Sequence, residues 1–272
     1  MDAKLQRRIQ RYGWDAAAGI YGKAWSKQLK PAHDELLNMA SLESGMRVLE
    51  VACGTGLVTA RAAKMVQPGG AVLATDISGE MIETTRREMD SYGLENIEVR
   101  RVDGEKLDIE DDVFDAAFCA LGLMYMPEPA NGLAEMRRVV KPGGKVAATV
   151  WGERRHCAWS GIFPIVDAEV HSEVCPLFFS LGAHDALINI MTNAGLKQVE
   201  QSRLSVLLSF TDAATLLSAK IDGGAVALAA KRFDKKTRSR VEISFLDSVD
   251  EYRRSDGSYE IPGEFVTAVG IV

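Results

Sequence analysis

At 272 residues the chain is long enough to bury a large core, either in one enlarged domain or in a core with a cap. Its 47% hydrophobic and 26% charged residues are those of an ordinary globular protein, and a net charge of −6 argues against the broad basic surface that nucleic-acid binding needs. No apolar run reaches the ~18 residues that suggest a membrane span. The N-terminus lacks the apolar stretch of a signal peptide and 4 cysteines are sparse for a disulfide framework, so a cytoplasmic location is expected.

Residues 1–45 read as an N-terminal helical lid. Tyr12, Trp14, Tyr21 and Trp25 recur there at helix-like intervals, and Pro31 suits the first position of a helix whose apolar side carries Leu36, Leu37 and Ala40. From Met46 onward, strand-like segments at 47–52, 71–75, 97–102, 113–119 and 145–151 alternate with helical segments. Such βαβ alternation predicts a parallel sheet in an α/β fold. Pro68-Gly69-Gly70 and Pro142-Gly143-Gly144 punctuate it, each before a strand.

After Trp151 the regular pattern lapses, so the core is assigned to 46–151 and residues 152–190 to a cap inserted between two core strands. Residues 191–272 would complete the sheet, with a strand at 197–210, a helical insertion at 211–254 broken at Gly223-Gly224, and a final strand near 264–272. The basic stretch 231–240 reads as the solvated face of a helix that buries Val241, Phe245 and Val249.

Chemistry concentrates at Val48-Leu49-Glu50-Val51-Ala52-Cys53-Gly54-Thr55-Gly56, a buried strand running into a glycine turn, followed by Asp76 at the end of the next apolar run. That pairing predicts a nucleotide-type site at the carboxyl edge of a parallel sheet, with Gly54 and Gly56 allowing close backbone approach and an acid holding ribose hydroxyls. A dinucleotide fingerprint fails, because Thr59 stands where the third glycine should be, and no Walker lysine follows. Glu50, Asp76 and Asp103 would share one rim without a Lys or Arg, which repels phosphate. Such a rim suits a ligand offering hydroxyls, an exocyclic amine and an ammonium group. S-adenosylmethionine has that inventory.

The same segments resemble the class I S-adenosylmethionine-dependent methyltransferases, and most closely the branch that includes ubiquinone and menaquinone biosynthesis C-methyltransferases. Residues 48–56 look like the family's first motif, Asp76 matches its ribose-binding acid, and Val102-Asp103-Gly104-Glu105-Lys106-Leu107 is similar to its adenine-contacting segment. Residues 114–123 resemble the fourth strand and pocket floor, and Glu135 to Gly144 the helix and turn entering the fifth strand. The resemblance covers residues 46–151. It implies a Rossmann-like, seven-stranded, mostly parallel sheet with helices on both faces, one antiparallel strand and a helical cap. It also implies a cofactor site at Glu50, Ala52, Gly54, Gly56, Asp76, Ile77, Met81, Asp103, Gly104, Glu105, Ala120 and Leu121. Ala52 departs from the family, which often has Gly there, and suggests a slightly tighter strand exit.

Tyr21 or Trp25 could close on the methionine end, where an aromatic face stabilises a sulfonium. Cys53 and Cys119 fall within the expected ligand site. His33, His156, His171 and His184 are the neutral-pH base candidates, but none stands out and the catalytic residue is unassigned. His171 and Cys175 have helical spacing, yet without a Cys-x-x-Cys pair no metal site is assigned. Trp159, Ile162, Phe163, Leu177, Phe178 and Phe179 could line a greasy chamber in the cap. The expected function is methyl transfer to a small, largely apolar acceptor, such as C-methylation of a quinone-like compound. The alternatives are small-molecule O- or N-methylation and noncatalytic cofactor binding. No oligomeric state is assigned.

Overall fold

The computed structural model describes residues 2–170 and 178–272. His171, Cys175 and Leu177, considered above, lie outside the described residues.

Helix α1 runs unbroken over Ala3–Ala40, with Asp2 as its N-cap, the side chain accepting from the Lys4 amide at 2.9 Å. This corrects the expectation that Pro31 opens a helix, since Pro31 sits inside α1. An interior proline forfeits a backbone hydrogen bond at a cost of about 3 kcal/mol. Burial of Leu29, Ala32, Leu36 and Leu37 on both sides of it offsets that cost.

Strands and helices then alternate: β1 (Arg47–Val51), α2 (Thr59–Met65), β2 (Ala71–Asp76), α3 (Gly79–Ser91), β3 (Ile97–Arg101), β4 (Phe114–Ala120), α4 (Pro129–Val139) and β5 (Val140–Trp151). The cap holds short 3₁₀ turns and α5 (Ile162–Glu169). Then follow α6 (Ala186–Asn193), β6 (Lys197–Phe210), α7 (Ala213–Leu217), a π-helical turn at Ser218–Asp222, α8 (Ala227–Ala230), α9 (Lys235–Ser248) and β7 (Tyr259–Ile271). The seven strands form one sheet in the order β3-β2-β1-β4-β5-β7-β6, all parallel except β7, which runs antiparallel to β5 and β6. The fold is therefore the expected α/β, Rossmann-like, seven-stranded mostly parallel sheet.

Three strand starts differ from the sequence reading, that of β4 by one residue, at Phe114. β5 starts at Val140, before the Pro142-Gly143-Gly144 turn, because Val140 pairs with Phe114 and a register shift absorbs the glycines before pairing resumes at Ala116 and Lys145. β7 starts at Tyr259, because its pairing with β6 extends to Phe210. On α9, Val241 and Phe245 are buried, as is Val249 just beyond it. Order reverses where β1 lies between β2 and β4, so the carboxyl ends of β1 and β4 diverge into a crevice, the usual ligand position in such sheets. Among the described residues no helix is long and apolar enough to cross a membrane.

Candidate active site

The crevice at the switch point is a cleft lined by Tyr21, Gly54, Asp76, Asp103, Ala120 and Leu121. The chain leaves β1 through three left-handed positions, Ala52 (φ 59°), Gly54 (φ 57°) and Gly56 (φ 83°). Ala52, where a slightly tighter strand exit was expected, is the first of them. It adopts a conformation costing an L-residue roughly 1–2 kcal/mol, and its methyl group occupies the room left by Gly122, where an added Cβ would come within 2.3 Å of it. Gly54 faces the cleft, and a Cβ there would meet only Tyr21 Cε1, at 3.8 Å. Gly56 serves packing, since its Cβ would collide with Met89 Cε at 2.8 Å and approach Thr85 Cγ2 at 3.1 Å on α3.

Asp76 ends β2 with its carboxylate already engaged by backbone, accepting from Gly54 N at 2.9 Å and Ser78 N at 2.8 Å. Burial pushes its pKa up to about 6 against the pull of these hydrogen bonds. Ser78 caps α3 and donates to Asp15 of α1 at 2.6 Å, which anchors the long helix over this corner. Glu50 lies behind the cleft wall, 1% exposed, and accepts from Thr59 Oγ1 at 2.5 Å. Burial raises it to about 8.

The opposite rim holds Asp103, Gly104 and Glu105, and here the expectation of acids without a cation is corrected. Arg7, from the first turns of α1, places Nε 2.6 Å from Glu105 Oε2 and 3.3 Å from Asp103 Oδ2. Glu105 also accepts from Glu128 N at 2.7 Å. Ala120 and Leu121 (φ 59°) form the floor where β4 ends, and Leu121 N donates to Thr149 O at 2.8 Å. Ile77 and Met81 complete the Asp76 side. Trp25, Glu50 and Gly56 do not line this cleft. Cys53 and Cys119 do not line it either, and both are buried thiols with raised pKa values.

A second space adjoins the first and shares Trp14, Tyr21, Leu121 and Tyr125 with it. Trp14 meets Tyr21 and Tyr125 edge-on at centroid distances of 5.5 and 4.9 Å, forming the partition between the two spaces. Trp159, Ile162, Phe163 and Phe178 line the chamber from the cap side, and Phe179 packs behind them, 4.6 Å from Phe178. Trp25 belongs to this chamber, fixed by a 2.9 Å hydrogen bond from Nε1 to Gly223 O.

None of the described histidines reaches either space. His33 is buried on α1, where burial lowers it to about 4. His156 bonds Glu264 at 2.9 Å, and His184 is solvent-exposed beside Glu153. Sequence reasoning missed Arg7 and Asp15, whose partners are remote in the chain, and Lys220, a single cation in the apolar run Leu216-Leu217-Ser218-Ala219-Lys220-Ile221. That lysine lines the chamber and is 3% exposed.

Comparisons with known proteins agree with this architecture. The methyltransferase-domain family matches residues 48–144. A demethylmenaquinone methyltransferase of Bacillus cytotoxicus is 36% identical over 46% of this chain and 49% of its own length. A ubiquinone/menaquinone biosynthesis C-methyltransferase of Cupriavidus taiwanensis is 34% identical over 61% of this chain and 73% of its own. The match spans about half the length of some of these curated relatives. Among solved structures, YcgJ of Bacillus subtilis superposes with a TM-score of 0.61 at 15% identity, covering 89% of this chain and 99% of that one. The [4+2]-cyclase SpnF superposes with 0.60 at 21%, covering 91% and 82%. A cyclase among the neighbours shows that this fold alone does not fix a reaction. The glycine turn after β1, the acid ending β2 and a C-methyltransferase relative matched over most of its length together decide the family: the chain belongs to the class I S-adenosylmethionine-dependent methyltransferases and resembles the ubiquinone/menaquinone biosynthesis branch.

Proposed function

We propose that the protein is an enzyme that transfers a methyl group from S-adenosylmethionine in the cleft to a small, largely apolar acceptor in the adjoining chamber, C-methylation of a quinone-like ring being the favoured case. The observation that carries this reading is the adjacency of two chemically different spaces. An acid-rimmed cleft and an aromatic chamber share the wall of Trp14, Tyr21, Leu121 and Tyr125.

The donor set suits the cofactor. Asp76 and Asp103 offer carboxylate oxygens to hydroxyls and amine, and Gly54 lines the cleft without a side chain, so a ligand can lie against its backbone. Tyr21 presents an aromatic ring where a sulfonium would be favoured. When bound, the cofactor supplies a methyl group activated by its own positive charge. The chain's part is then to align the acceptor and exclude water, which the aromatic partition does by bringing two confined spaces together.

Calorimetric titration with S-adenosylhomocysteine tests the reading. Wild type should bind in the micromolar range, and Asp76→Ala should lose about tenfold or more in affinity. Binding no tighter than millimolar, or an unchanged affinity in Asp76→Ala, removes the basis for the proposal. Isotopically labelled cofactor incubated with small-molecule extracts then identifies the methylated atom, and label found only on protein or nucleic acid overturns the small-molecule acceptor.

A further inference from the structure

Among the described residues that line the chamber, Lys220 carries the one charged group. Lys220 Nζ has no hydrogen-bond partner among the described residues, and it sits 3.8 Å from the ring centroid of Trp159 and 4.3 Å from that of Trp25. Trp151 and Phe210 close the cage at 5.7 and 5.8 Å. Leaving a buried amine unpartnered is costly, and a lysine is almost never buried this way for stability. Two further observations point to a ligand. The indole Nε1 of Trp159 is also buried and unpartnered among the described residues, so a donor and an amine stand without partners at one chamber wall. Lys220 is also carried on the π-helical turn at Ser218–Asp222, a distortion that recurs at functional sites.

We infer that Lys220 is the proton acceptor of the chamber, taking the proton of an acidic hydroxyl on a phenolic or enolic methyl acceptor whose oxygen also accepts from Trp159 Nε1. This deepens the methyl-transfer reading and rests on it. In the step, the acceptor's O–H bond breaks, its electron pair stays on oxygen, and an N–H bond forms at Nζ. The resulting oxyanion is the better nucleophile through oxygen or through the adjacent ring carbon. The ammonium returns its proton to solvent when the product leaves.

Burial holds the Lys220 ammonium well below its ordinary range. The titratable group that faces it is the Cys157 thiol, itself raised to about 11 by burial. The penalty on Lys220 is that of a lone buried cation. A proton taken from the acceptor creates cation and oxyanion side by side, and the indole faces stabilise the cation further.

The test uses 4-nitrophenol, whose anion is yellow, at a pH at least a unit below its own ionisation, with and without S-adenosylhomocysteine. Wild type should bind the probe and show the nitrophenolate band. Lys220→Met should reduce that band at least tenfold while keeping wild-type affinity for S-adenosylhomocysteine and a melting temperature no lower than wild type. Should the methionine variant melt early, the neutral, polar Lys220→Gln should lose the band equally. A band unchanged in a folded variant, a bound probe that stays un-ionised in wild type, or no binding of the phenol at all overturns the assignment. Failure of wild type to bind S-adenosylhomocysteine would instead sink the methyl-transfer reading, because the phenolate band is read without that ligand as well.

Discussion

Glu50 occupies the strand end at which the sequence motif places an acid, yet its carboxyl group is sealed behind the cleft with Thr59 as hydrogen-bond partner. Because burial raises it from 4.5 to about 8, folding takes up a proton between those values. Its contribution to stability is therefore complete below the unfolded value and is lost as pH rises through the folded one. Glu50→Gln keeps the acceptor for Thr59 and cannot ionise. It should melt close to wild type near about pH 5 and several degrees above it beyond about pH 8, an effect on the order of a few kcal/mol. Thermal melts at both pH values decide this, and a difference that does not depend on pH would refute it. At this scale the sequence shows residue types but not directions. Gly54 and Gly56 read alike, yet one opens on the cleft and the other is pressed against Met89 and Thr85. Lys220 was the one charged residue in the stretch from Leu216 to Ile221, a legible anomaly whose meaning depended on four aromatic rings converging from α1, β5, the cap and β6.

Among the elements, the central parallel strands β1, β2 and β4 were legible because they are buried on both faces and therefore read as short apolar runs between turns. Helix α1 was less so. Its pattern carries an internal proline, and the contacts that keep it continuous lie far along the chain, on α3, the sheet and the π-helical turn. Those contacts make α1 the element that joins both spaces: Arg7 at the cleft rim, Trp14 and Tyr21 in the partition, Trp25 in the chamber. The Arg7 end is held by ion pairs, with Glu105 nearly fully buried and Arg7 partly exposed. Arg7→Met should release the first turns of α1. Trypsin cleavage at Arg8 and Arg11 should quicken, and S-adenosylhomocysteine affinity should fall by about 1 kcal/mol, roughly fivefold, with a smaller effect at high salt. Limited proteolysis with and without the ligand reads this out. Unchanged cleavage in the variant would mean that the rim ion pairs do not hold the helix.

Over the whole molecule, the sheet fixes the cleft while the elements around it shape the chamber, and the described start of the cap is tied to the sheet. Buried Glu264 on β7 accepts from Glu153 N at 3.0 Å and His156 Nδ1 at 2.9 Å and pairs with Arg203 at 3.2 Å, tying the start of the cap to β6 and β7. Gly182 lies so close to β5 that an added Cβ would fall 2.0 Å from Trp151 O. Phe178 joins the resulting aromatic cluster to the partition, 5.0 Å from Phe163 and 5.3 Å from Tyr125 between centroids. If acceptor selection belongs to this cluster and cofactor binding to the glycine turn and strand-end acids, Phe178→Ala should raise the acceptor KM about tenfold or more and leave S-adenosylhomocysteine affinity within twofold. Truncating a buried phenylalanine costs about 3–5 kcal/mol of stability, so the variant is assayed below its melting transition, with Phe163→Ala as its companion. A parallel loss of both ligands in folded protein would mean that the partition transmits the change, and that cleft and chamber work as one site rather than two.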